Sequence, residues 1–130
     1  NLPFSRELWT ADGSVLLGQV TVPALVVIGK KDVQVHWQAD GRPLQKATAG
    51  HDVTFLFPEN ANHVLKHEPT PLADLTPTAA LARYGAEDSI LDPEALEAIL
   101  DWLDERAMEL VGADRAEGDG PNPRPLPFRA

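Results

Sequence analysis

Asp32 and His63 are the two side chains whose types and positions suit joint acid–base chemistry. Asp32 closes "GKKD" and His63 closes "NANH", each a polar turn that follows an apolar, β-branched run. A carboxylate bonded to one imidazole nitrogen fixes the ring's tautomer and leaves the other nitrogen as a base for a hydroxyl nucleophile. Singly, each residue has a plainer use. An Asp after a strand-ending glycine forms turns, and a histidine can simply bond a backbone carbonyl. It is the two together, each after a strand, that point to chemistry. Asn62, beside His63, is expected to shape its turn by tolerating a left-handed backbone.

The elements that must position this pair are legible in outline. "TVPALVVIG" (21–29) is a continuous apolar run with Pro23 near its start and Gly29 at its end, as in a strand buried on both faces. Residues 36–48 read as a short helix broken by Gly41 and Pro43, and "HDVTFLFP" (51–58) as a second strand closed by Pro58. Strand, helix, strand, helix is an α/β order, and a crossover of this length joins parallel strands. Open parallel sheets present their sites at the carboxyl ends of the strands, so both turns are expected on one rim.

Segment 1–20 is expected to be a lid or linker leading into the sheet, with "FSRELW" as a helical turn and "ADGS" as a turn. From Pro69 to Asp92 the chain reads as loop, with a turn or two of helix at "PTAALARYG". Asp92 then suits an N-cap and Pro93 a first helical position. Leu96, Ile99, Leu100 and Leu103 recur at helical spacing opposite Glu94, Glu97, Asp101 and Asp104, which predicts an amphipathic helix over about 93–110. Residues 111–130, rich in Gly, Pro and charge, are expected to be a disordered or docked tail. Two parallel strands apolar on both faces make too small a sheet to stand alone, so other strands are expected from elsewhere.

Composition narrows the function. With 130 residues one compact unit is expected, and Asn1 in place of Met suggests a processed, trimmed or excerpted chain. The net charge of -9 argues against nucleic acid, whose binding depends on clustered Lys and Arg, and no apolar run is long enough for a membrane helix. The absence of cysteine excludes a disulfide framework and a thiolate zinc site, and fits a reducing compartment, with a cytoplasmic location as the default. His63 and His67 stand four apart, but Val64 occupies the place where a metalloprotease helix needs its carboxylate and Pro69 soon follows, so no metal is assigned. Gly29-Lys30 lacks the earlier glycine and the following Ser or Thr of a phosphate loop.

"VPALVVIGKKDVQV", then "VTFLFPENANHVLK", then a closing amphipathic helix resembles the C-terminal part of an α/β-hydrolase over residues 21–110. The resemblance implies the last strands and helices of a mostly parallel sheet, incomplete on its own. It implies Asp32 as the triad acid and His63 as the triad base, in the family's order of Ser, acid, His. The activity implied is cleavage of an ester, thioester or amide in a small-molecule acyl substrate through an acyl-enzyme, with no cofactor. One part of the pattern is missing. Ser5, Ser14 and Ser89 all lack the glycine two places earlier that a G-x-S-x-G elbow requires, so the nucleophile is expected outside this chain. It would come from an N-terminal hydrolase half or from a second chain that completes the sheet. The alternative is a non-catalytic, hydrolase-like interaction module paired with another polypeptide.

Overall fold

Asp12, Thr76 and Asp92 each open a helix in the computed structural model, which describes residues 2–118. Each side chain takes up backbone N–H groups of a first helical turn, which have no acceptor within the helix. Asp12 Oδ1 accepts from Ser14 at 2.8 Å, Thr76 Oγ1 from Ala79 at 3.2 Å and Asp92 Oδ1 from Ala95 at 3.1 Å. In chain order the elements are α1 (Leu2–Thr10), α2 (Gly13–Leu17), β1 (Ala24–Val27), α3 (Gly41–Ala47), β2 (Val53–Leu56), α4 (Pro77–Tyr84) and α5 (Pro93–Gly118). A 3₁₀ turn, Leu72–Asp74, precedes α4. The fold is mixed α/β.

β1 and β2 form a parallel pair in the register Ala24 to Val53 through Val27 to Leu56. All four residues of each strand are only half-buried, where the sequence suggested burial on both faces. A sheet of two strands has too few neighbours to cover both of its faces. Helix α3, in the crossover, contains Gly41 and Pro43 in its first turn and is not broken by them. Proline lacks an N–H, but at the start of a helix no bond is lost by that. Gly41 also lies under Phe57, and a Cβ there would stand 2.9 Å from Cε1 of that ring.

The described chain divides into two units, residues 1–99 and residues from Leu100 onward, where a single compact unit was expected. The first holds the sheet and α1 to α4, with α2 packed against α3. Its interior is small and polar as much as apolar. Ile28, Ala61, Leu75, Ala80 and Ala95 are buried, and so are Asp32, Asn62, Glu68 and Asp92. The second unit contains the distal part of α5, which reaches Gly118, beyond the limit near 110 expected from its apolar spacing. Residues 111–118, expected in the tail, are therefore helical, and residues 119–130 lie outside the described part. Leu96 in the first unit is 42% exposed, and Leu100 and Leu103 in the second are 52% and 50% exposed. Among the described residues no helix is long and apolar enough to cross a membrane.

Candidate active site

The two turns that carry Asp32 and His63 are laced together by backbone bonds that continue past the strand ends. Ile28 donates to Leu56 O at 3.0 Å, Lys30 to Pro58 O at 2.9 Å and Lys31 to Ala61 O at 3.1 Å. This approach depends on Gly29. A Cβ at that position would stand 2.0 Å from Ala61 O and 2.5 Å from its carbonyl carbon, so the backbones meet only because the side chain is a hydrogen. On the far side, Lys31 Nζ donates to Glu68 O at 2.6 Å, anchoring the first turn to the end of the second.

Asp32 and His63 meet. His63 Nδ1 lies 2.9 Å from Asp32 Oδ2, with the aspartate side chain 5% exposed and the imidazole 37% exposed. The other oxygen of Asp32 accepts the N–H groups of Gln34, at 2.7 Å, and Val35, at 3.0 Å. These bonds lock the carboxylate in one orientation, with Oδ2 directed at the imidazole. A carboxylate only accepts, so a neutral His63 places its proton on Nδ1 and keeps the lone pair of Nε2 free. The arrangement is a carboxylate–imidazole dyad on the carboxyl rim of a parallel strand pair, able to take a proton from a hydroxyl and return it.

Asn62 builds the loop that carries the histidine. Fully buried, it uses Oδ1 to accept from Val64 N at 3.1 Å and from Lys66 N at 3.0 Å, while its backbone N–H donates to Lys66 O. The left-handed residue expected at Asn62 is instead Leu65, with φ +58°. Asn62 closes the turn through its side chain, and the reversal of direction falls three residues later.

Three partners of the site carry no local sequence signal. The Tyr84 ring, at the end of α4, packs against the His63 imidazole with centroids 6.1 Å apart and planes inclined by 29°. Gln34 Nε2 donates to Tyr84 Oη at 3.1 Å. His67 Nδ1 lies 2.9 Å from Oδ2 of the buried Asp92. His63 and His67 thus each face a separate aspartate on a loop, and among the described residues no group of three or more metal-ligating side chains forms. The Ser89 hydroxyl is buried with no hydrogen-bond partner, so it is not bonded to His63.

The second Asp–His pair ties α5 to the His63 loop. Asp92 caps α5 with one oxygen, holds His67 with the other, and donates its N–H to Leu65 O at 2.8 Å. Replacing Asp92 with Ala leaves the Ala95 N–H and His67 Nδ1 without these partners. Loss of a cap of this kind costs about 1–2 kcal/mol. Urea denaturation of Asp92→Ala should show that loss of stability, and an unchanged midpoint would exclude the structural role given to this pair.

No protein-family model, curated protein or solved structure matches the chain.

Proposed function

We propose that the chain is the C-terminal portion of an α/β-hydrolase-type serine hydrolase, with Asp32 as triad acid, His63 as triad base, and the nucleophilic serine supplied from outside residues 1–130. The observation that carries this reading is the 2.9 Å contact between His63 Nδ1 and the buried Asp32 Oδ2 at the rim of a parallel strand pair. The acid precedes the histidine in the chain, each after its own strand. The half-buried faces of β1 and β2 suit a sheet extended by an N-terminal half or a second chain. The lack of cysteine suits a reducing, cytoplasmic setting.

In the reaction, His63 Nε2 takes the proton from the serine hydroxyl as its oxygen attacks the carbonyl carbon of an ester, thioester or amide. Asp32 holds Nδ1–H and stabilises the imidazolium. The proton then passes from Nε2 to the departing alcohol, thiol or amine, leaving an acyl-enzyme. Water, deprotonated by the same nitrogen, hydrolyses the acyl group and restores the serine. The chemistry uses no metal or organic cofactor.

The half-buried strands also suit a non-catalytic module completed by another polypeptide. One experiment separates the two readings. The protein translated from the full reading frame containing residues 1–130 should hydrolyse a p-nitrophenyl ester and be inactivated by a fluorophosphonate that labels a serine outside these residues. A folded full-length protein with neither activity nor label would leave the interaction reading in its place.

A further inference from the structure

We infer that Tyr84 is a positioning residue for His63, holding the plane of the imidazole from α4 while Asp32 holds its edge. The inference rests on the reading of Asp32 and His63 as triad members and adds a residue to that site. Four residues close a circuit. Asp32 Oδ2 bonds His63 Nδ1 at 2.9 Å, and the His63 ring packs on the Tyr84 ring with centroids 6.1 Å apart. Tyr84 Oη accepts from Gln34 Nε2 at 3.1 Å, and the backbone N–H of Gln34 donates to Asp32 Oδ1 at 2.7 Å.

Tyr84 is itself held at both ends. Its hydroxyl is fixed by Gln34, and its carbonyl oxygen accepts from Lys66 Nζ at 2.9 Å, three residues beyond His63 in the same loop. The ring therefore cannot drift from the imidazole without breaking a bond to one of the two turns. The bond to Asp32 alone restrains the His63 ring at one nitrogen and leaves it free to tilt about that contact. The side chain is 37% exposed, so part of the ring borders solvent. Packing by Tyr84 on one face removes that freedom and keeps Nε2 aimed in one direction. The π face also attracts the imidazolium that forms while the proton is held, an interaction the neutral ring lacks.

The test uses NMR of the complete protein translated from the full reading frame, so it does not depend on turnover. In the unsubstituted protein, nuclear Overhauser contacts between the His63 and Tyr84 rings are expected, with a His63 Nδ1–H protected from solvent exchange. Tyr84→Leu, folded by circular dichroism, should raise the exchange rate of that proton roughly two- to ten-fold, the range an aromatic contact supports. Tyr84→Phe, which keeps the ring but loses the bond from Gln34, should give an exchange rate between those of the unsubstituted protein and Tyr84→Leu. In the complete enzyme Tyr84→Leu should lower kcat by a similar factor and leave KM unchanged, because Tyr84 acts through the histidine. Absence of ring-to-ring contacts in the unsubstituted chain, or unchanged exchange in a folded Tyr84→Leu, would overturn the inference even if the dyad stands. If Tyr84→Leu does not fold, the ring contacts still decide. A His63 that carries no Nδ1–H in the unsubstituted chain would instead remove the dyad itself.

Discussion

On the proposed hydrolase reading, Asp32→Asn should invert the tautomer of His63 and abolish nearly all turnover in the complete protein. Asp32 Oδ1 accepts two backbone N–H groups, from Gln34 and Val35, while Oδ2 faces the imidazole. In an asparagine at this position only the carbonyl oxygen can accept, so it takes the Oδ1 place. The amide NH₂ is then left facing His63 Nδ1. A donor there obliges Nδ1 to accept, which moves the ring proton to Nε2, the nitrogen that must act as base. The substitution is close to isosteric and should leave the fold intact. A catalytic histidine in the wrong tautomer loses roughly 10⁴-fold in kcat. Nitrogen-15 NMR of the complete protein should show the proton moving from Nδ1 to Nε2. Ester hydrolysis by the complete protein should fall accordingly, and His63→Ala should reduce it as far. If Asp32→Asn keeps more than about a tenth of the activity, the assignment of the triad acid fails.

Gly29→Ala prevents the two turns from meeting. The added methyl would stand 2.0 Å from Ala61 O and 2.5 Å from Ala61 C, distances that no rotamer can relieve, because both the new carbon and the atoms it strikes are fixed to backbone. Relief requires the chain after β1 to separate from the chain after β2, which breaks the bonds from Lys30 to Pro58 and from Lys31 to Ala61. Asp32 and His63 would part with them. Substitutions with so specific a clash cost about 4 kcal/mol or more, a large share of the ~5–15 kcal/mol that stabilises a whole domain. Gly85 offers a control, since a Cβ there meets nothing within 4 Å and its φ is -103°. Circular dichroism and urea denaturation should show Gly85→Ala near the unsubstituted protein and Gly29→Ala largely unfolded. Equal midpoints for the two would mean that the close approach at Gly29 does not hold the rim together.

Much of the framework is local and legible in the sequence. Asp92 followed by Pro93 marks the start of α5 because capping and a fixed φ act within one turn. The apolar runs that became β1 and β2 stand out because β-branched residues suit extended backbone, and the polar turns after them already held Asp32 and His63. Gly41 and Pro43 look like breakers in the sequence because the same residues that interrupt a helix are harmless at its beginning, and where a helix begins depends on what precedes it.

The amino-acid order by itself determined the α/β alternation, the strand-end placement of one carboxylate and one imidazole, and the start of the last helix, all of which follow from forces acting over a few residues. Tertiary structure alone decided that Gly29 must be a glycine, that Leu65 carries the positive φ, that Tyr84 covers His63, and that His67 engages Asp92. The bond between Gln34 and Tyr84 spans 50 residues, and no spacing rule reaches that far. Such contacts exist only once the backbone has closed its loops, and closure is set by the packing of the whole chain.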